Sequence, residues 1–308
     1  MTNGLVTIFG GGGFLGRYVV QELLARGVRV RVAERNPSSA MRVKTLGGLG
    51  QVQLVSADIT KPASVARAVE GADAVINLVG ILNGAFAKVH VEGTANVAKA
   101  AAQAGATALV HISAIGADPE SPSAYGKSKG EGEGVVRSAF PAATIIRPSI
   151  IFGREDQFTN RFAQIVRMAP VVPVIGAATK FQPVYVVDVA HAIASAALEP
   201  AHQGKLYELG GPEVLSMLDI NALIAKIIGR PERSFLPIPA PIATVIATVP
   251  GGPLTRDQWK MLQKDNVVAP GAIGLAHFGI APTPIAAVAD AWLVLYRRHG
   301  RFAGRVKA

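Results

Sequence analysis

An α/β fold, a doubly wound parallel sheet with a smaller C-terminal lobe, is predicted by three observations. An apolar run, Leu5-Val6-Thr7-Ile8-Phe9, meets a cluster of glycines and then an amphipathic stretch, which reads as strand, turn and helix. Further short apolar runs alternate with helical patterns, the order that builds parallel strands joined by crossover helices. A Tyr-x-x-x-Lys pair, Tyr125 and Lys129, opens the helix that follows the fifth run. The glycine cluster gives the sheet its type: strand, glycine turn and helix form the Rossmann dinucleotide-binding unit.

The turn is Gly10-Gly11-Gly12-Gly13-Phe14-Leu15-Gly16. Glycines let the backbone turn tightly and approach a pyrophosphate, and the free N–H groups at the start of the helix attract its charge. Gly10-x-x-Gly13-x-x-Gly16 and Gly11-x-Gly13-x-x-Gly16 are both dinucleotide-binding spacings, and the glycine run satisfies both. Gly10, Gly13, Phe14, Leu15 and Gly16 are therefore candidate cofactor contacts. The helix spans about Arg17 to Arg26, and a second strand, Val28 to Ala33, follows. An acid at the end of that strand hydrogen-bonds ribose hydroxyls, whereas an arginine accommodates a 2′-phosphate. Glu34 and Arg35 offer both, and Arg17 is a further cation within reach. The balance favours NADP(H), with NAD(H) possible.

Gln51 to Val55 reads as the third strand, and Pro62 to Glu70 as a helix. Asp58 and Ile59 fall at a carboxyl end of the sheet, where they are candidates to touch adenine; Asp58 equally suits a helix cap. Ala74 to Val79 is the fourth strand, and Asn77, Val79 and Gly80 at its exit are candidates to line the ribose and phosphates. Val91 to Ala104 is a helix of small residues, and Ala108 to Ser113 is the fifth strand. Ser113, Tyr125 and Lys129 make a candidate catalytic set. Tyr125 and Lys129 share a helix face, and an ammonium beside the phenol favours the phenolate, bringing tyrosine toward proton exchange with a carbonyl or alcohol. Gly126, Gly130 and Gly134 leave one face of that helix nearly bare. Ala143 to Gly153 is the sixth strand with its exit loop, where Pro148, Ile150 and Ile151 complete the cofactor-binding candidates.

Composition narrows the function. The 308 residues contain no cysteine, which excludes disulfides, thiolate nucleophiles and iron–sulfur ligation, and the six histidines show no metal spacing. No stretch approaches the roughly 18 apolar residues of a membrane span, and the first residues read as a strand rather than a signal peptide, so a cytoplasmic protein is expected. Lys and Arg number 31 against 21 Asp and Glu, a net charge of +10. That excess points to an acidic partner; with no recognisable nucleic-acid motif, an acidic protein face or anionic lipid is favoured. Arg297, Arg298, Arg301, Arg305 and Lys307 read as an unopposed basic tail. Two apolar segments precede it: Pro237 to Pro250, suited to an interface, and a helix from Ile285 to Tyr296. Asp188 reads as the cap of a helix running to Leu198. The dinucleotide-binding core is assigned to residues 1–153. Residues 154–308 complete it and form a smaller lobe closing over the cofactor.

The glycine motif, Tyr125 with Lys129, and the exit Arg147-Pro148-Ser149-Ile150-Ile151-Phe152-Gly153 resemble the extended and atypical short-chain dehydrogenase/reductases. The continuation FGREDQFTNRFA (152–163), then FQPVYVVDVAHAI (181–193), TRDQWKML (255–262) and YRRHGRF (296–302), is more narrowly similar to the NADPH-binding accessory subunit of mitochondrial respiratory complex I and its bacterial relatives. This resemblance implies an NADPH held mainly for structure, on a protein lying peripherally on the inner membrane against a respiratory complex. The broader resemblance implies an NAD(P)-dependent oxidoreductase or nucleotide-sugar epimerase or dehydratase using Ser113, Tyr125 and Lys129. His90 departs from the extended enzymes, which usually carry asparagine there.

Overall fold

The computed structural model describes residues 4–249, 251–252 and 254–302, and the chain divides into two compact bodies. The first comprises the chain up to Pro148 with Val186–Leu209 and Pro270–Ala281. Its centre is a seven-stranded parallel sheet. The strands are β1 (Leu5–Phe9), β2 (Arg29–Glu34), β3 (Val52–Ser56), β4 (Ala74–Asn77), β5 (Ala108–Ile112), β6 (Thr144–Pro148) and the later strand Leu206–Leu209. Their order across the sheet is Leu206–Leu209, β6, β5, β4, β1, β2, β3. All pairings are parallel, as in β1 with β4, where Val6 faces Ala74 and Phe9 faces Asn77.

β1 and β5 are apolar except for the buried Thr7 and His111, because both faces of a parallel sheet are covered, leaving no solvent face to encode. Helices α1 (Phe14–Ala25), α2 (Pro62–Val69), α3 (Thr94–Gln103) and α4 (Ala124–Ala139) follow β1, β3, β4 and β5. α2, α3 and α4 pack side by side, and α1 packs with the helix Val186–Leu198. The alanines of α3, Ala98, Ala100 and Ala101, are buried in the core with Phe9, Leu109 and Val136. Such small side chains let the helix sit close to the sheet. The order of strands reverses at β1 and β4, so their carboxyl ends border the crevice where such sheets take ligands.

The second body comprises Ser149–Tyr185, Gly210–Ala269 and the chain from Pro282. Its core joins Phe152, Val172, Ile220, Ile224, Trp292 and Leu293. The strand Ser234–Ile238 pairs in parallel with Val171–Ile175, and the helix Met217–Ile227 starts from a capping box between Ser216 and Asp219. The apolar segment after Pro237 forms a short helix, Ala240–Ile246, that buries Ala243 but leaves Ile242 and Val245 exposed. The helix expected from Ile285 to Tyr296 is broken into Ile285–Val288, Asp290–Leu293 and a final 3₁₀ turn. Asp188 lies within the first turn of its helix, which begins at Val186, and its carboxylate is buried there, where the helix dipole favours it. Arg297 is not unopposed either, since its guanidinium pairs with Asp290 and also bonds the carbonyl of Ile227. Arg305 and Lys307 lie outside the described residues. Among the described residues no helix is long and apolar enough to cross a membrane.

Candidate functional site

The glycine turn is built for close backbone contact. Gly10 has φ +84°, a left-handed conformation that side chains disfavour. Gly13 is the N-cap of α1, and its N–H donates to the Gly10 carbonyl at 3.1 Å. A Cβ on Gly16 would sit 2.3 Å from that same carbonyl oxygen and 2.6 Å from the Gly11 Cα, so the first turn of α1 presses directly on the loop. The amides at the start of the helix are thereby presented beside an open backbone, with Phe14 and Leu15 half-buried among them.

At the end of β2, Glu34 accepts a 2.7 Å hydrogen bond from the Gly12 N–H. Its carboxylate thus ties the strand to the glycine turn. Arg35 is exposed. A 3₁₀ segment, Pro37–Leu46, then folds back, and a cavity of about 520 Å³ lies among Gly12, Arg17, Ser38, Ser39, Met41 and Arg42. Ser38, Ser39 and Arg42 are not singled out by the sequence pattern, whose cofactor signal lies in Glu34 and Arg35 at the end of β2. A run of hydroxyls and cations does follow Arg35, but only the fold back toward Arg17 gathers them around one cavity.

The exit of β4 continues the line. Leu78 and Val79 pass 3.4 Å from where a Gly10 Cβ would stand. Gly80 lies next, its own Cβ position 3.5 Å from Lys129 Nζ and 3.7 Å from His90 Nε2. The structure therefore brings together Gly10, Val79, Gly80 and Lys129. Asn77 is turned inward instead: it is 1% exposed, its Oδ1 accepts from the Val79 N–H, and its amide nitrogen faces His111 Nδ1 at 3.3 Å. Its side chain holds the loop rather than reaching open space. Ile59 is likewise a core residue, packed with Phe9 and Val97. Asp58 closes a turn by accepting from the backbone and hydroxyl of Thr60; the backbone hydrogen bond chiefly holds its carboxyl below the usual range. The N-cap of α2 is Lys61, so Asp58 does not cap that helix. Pro148 ends β6, its carbonyl accepting from the Ile115 N–H, while Ile150 and Ile151 belong to the second body.

Tyr125 and Lys129 stand one turn apart on α4, whose N-cap Ser123 accepts from the Gly126 N–H. The Tyr125 ring makes edge contacts with Phe86 and His90, at centroid distances of 6.0 and 5.6 Å. Lys129 is buried, and its ammonium donates to the Ile112 carbonyl at 2.9 Å. Ser113 follows Ile112, 3% exposed, with no hydrogen-bond partner for its hydroxyl among the described residues. The expected lowering of the phenol is not found. Burial pushes Tyr125 up to about 12, and the same cause pushes Lys129 down to about 8 against the pull of Glu133. As it stands, the pair holds the phenolic proton at neutral pH, and a bound group would have to stabilise the anion before Tyr125 could release it.

The arrangement offers what a dinucleotide needs: an open glycine turn at a helix start, a cavity with two arginines beside it, and a glycine-lined path to a lysine and a tyrosine. Comparison with known proteins agrees. Residues 10–200 match a family model described as NAD(P)H-binding. The chain is 36% identical over 295 residues to mouse mitochondrial NADH dehydrogenase [ubiquinone] 1 alpha subcomplex subunit 9, covering 91% of this chain and 77% of that one. It is 30% identical over 305 residues to the mitochondrial NADH-ubiquinone oxidoreductase 40 kDa subunit of Neurospora crassa, covering 96% and 80%. Among solved structures, an NADPH-dependent quinone oxidoreductase of Escherichia coli, complexed with NADPH, superimposes with a TM-score of 0.74 at 20% identity over 93% and 98% of the two chains, a likeness of fold. The chain thus belongs to the NAD(P)H-binding family, within the group of the alpha subcomplex subunit 9 proteins of respiratory complex I.

Proposed function

We propose that the protein is an accessory subunit of a bacterial NADH:ubiquinone oxidoreductase and holds NADPH mainly for structure. The observation that carries this reading is the likeness to mitochondrial subunits along 91–96% of the chain, well beyond the nucleotide-binding motifs that many oxidoreductases share. The site's geometry supports retention of a nucleotide. Gly10, Gly13 and Gly16 would hold the pyrophosphate on backbone amides, and Lys129 would meet the ribose once released from the Ile112 carbonyl. Arg17 and Arg42, with the hydroxyls of Ser38 and Ser39, supply charge and donors for a 2′-phosphate, which favours NADPH over NADH. Nicotinamide supplies hydride chemistry when bound; this chain would contribute the placement of Tyr125 and Lys129 beside it.

A second reading, a soluble NAD(P)-dependent oxidoreductase or epimerase, is favoured by the buried Ser113 hydroxyl beside Lys129, which has no hydrogen-bond partner among the described residues and would need the site to open before it met a substrate oxygen. Purifying the protein from its own membranes separates the two. The first reading expects co-purification with a large respiratory complex and release of NADPH on denaturation. A protein wholly released by gentle lysis, sedimenting alone and oxidising NADPH with a carbonyl or quinone, overturns it. Peripheral attachment at the inner membrane, through the second body and the basic tail, belongs to the same proposal.

A further inference from the structure

His90 sits beside Lys129 and Tyr125, where an imidazole would ordinarily be taken for an acid or base. Its hydrogen bonds assign it a different task. The Ile81 N–H donates to Nε2 at 2.9 Å, so Nε2 is an acceptor and carries no proton. The proton of the neutral ring is then on Nδ1, which faces Ser128 Oγ at 2.9 Å; that hydroxyl in turn donates to the Tyr125 carbonyl at 2.8 Å. Both ring nitrogens are committed. One ties the ring to the chain leaving β4, and the other ties it to the helix bearing Tyr125 and Lys129. The ring is 1% exposed and stacked on Phe86 at 5.6 Å.

Two features of the backbone serve this placement. His90 lies in a π-helical segment, Ala87–Gly93, an expensive local geometry that widens the turn and often accompanies functional sites. Its carbonyl oxygen stands 2.4 Å from where a Cβ on Gly132 would be, so only a glycine in α4 admits the segment at this distance.

We propose that His90 is a positioning residue: its imidazole, fixed in the Nδ1–H form, latches the Gly80–Ile81 segment to α4 and thereby sets how closely Gly80 approaches Lys129, without exchanging a proton. The proposal rests on the reading that a nicotinamide dinucleotide lies along the exit of β4. Burial, reinforced by the charge of Lys129, pushes His90 down to about 4, which keeps the ring neutral through the physiological range.

The test combines ring-nitrogen NMR with nucleotide titration. Nitrogen-15 shifts of the His90 imidazole in the wild-type protein should report Nδ1–H, unchanged between pH 6 and 8. In calorimetry with NADPH, His90→Phe keeps the stack but loses both bonds and should bind about tenfold more weakly. His90→Gln, whose amide oxygen can take the place of Nε2 and accept from Ile81, should recover to within about threefold of wild type. His90→Asn, which reaches only toward Ser128, should remain as weak as the phenylalanine variant. Equal affinities across the series, a glutamine variant no better than the phenylalanine one, or a ring in the Nε2–H or charged form would each overturn the latch. If the wild-type protein binds neither NADPH nor NADH, the nucleotide reading fails, and the proposed role of the latch in binding fails with it. The ring-nitrogen shifts would still report the tautomer separately.

Discussion

At the scale of single residues, the cofactor question turns on a few cations and one carboxylate. Glu34 spends one oxygen on the Gly12 amide, whereas Arg17 and Arg42 line the adjoining cavity. Arg42→Ala should therefore weaken NADPH binding by about tenfold and leave NADH nearly unchanged, because an arginine–phosphate hydrogen bond is worth roughly 1.5–3 kcal/mol. Parallel titrations with the two nucleotides check this, and equal losses for both would remove Arg42 from the phosphate site. Lys129 gives a second prediction. Its folded-state value of about 8 lies below the ordinary 10.5, so the unfolded chain binds more protons between those limits and stability rises with pH across that window. Tyr125 acts in the opposite sense only above pH 10, where the unfolded phenol ionises first. Urea unfolding at pH 8 and pH 10 should show a gain of up to about 3 kcal/mol in the nucleotide-free protein. Lys129→Met should flatten it.

At the scale of elements, close backbone approach is what the glycines encode. A Cβ on Gly16 would lie 2.3 Å from the Gly10 carbonyl and 2.7 Å from the Gly11 carbonyl carbon, atoms that cannot swing aside. Gly16→Ala should shift α1 off the loop and abolish nucleotide binding, at a cost of about 1–3 kcal/mol in stability. Calorimetry and urea midpoints measure the two effects separately. This element was readable in the sequence because a strand, a glycine run and an amphipathic helix follow one another without interruption, and the buried strands are short apolar runs ended by polar or small residues. The inward turn of Asn77 was not readable. Its partners His111 and Thr94 lie on β5 and α3, and only the parallel register that sets Asn77 opposite His111 reveals them. The π-helical turn at Ala87–Gly93 was hidden for the same reason: what accommodates it is Gly132, far along the chain. Ser38, Ser39 and Arg42 come to line one cavity with Arg17 only after the 3₁₀ segment folds back.

At the scale of the whole molecule, the proposed assembly makes demands that the nucleotide site alone does not. In the second body, Leu236 on the strand Ser234–Ile238 is 55% exposed, and Ile242, Val245 and Val249 in the next stretch are exposed by 52%, 65% and 53%. These exposed apolar residues are the ones the proposed partner would cover. The basic tail contributes charge, but less than its sequence suggests, because Arg297 is already paired with Asp290. A cation near an anionic surface gains about 1 kcal/mol, and screening reduces the sum, so the tail alone supports only reversible attachment. Apolar contact must supply the rest. Washing native membranes with high salt should therefore release the protein only in part. Deleting residues 298–308 should increase release at moderate salt, whereas Ile242→Ser with Val245→Ser should increase it at high salt, where screening leaves the apolar term. Both variants should bind NADPH as the full-length protein does, since every residue assigned to the glycine turn and its cavity lies in the first body. Complete release of the unaltered protein by salt would leave the apolar surface without a role in attachment.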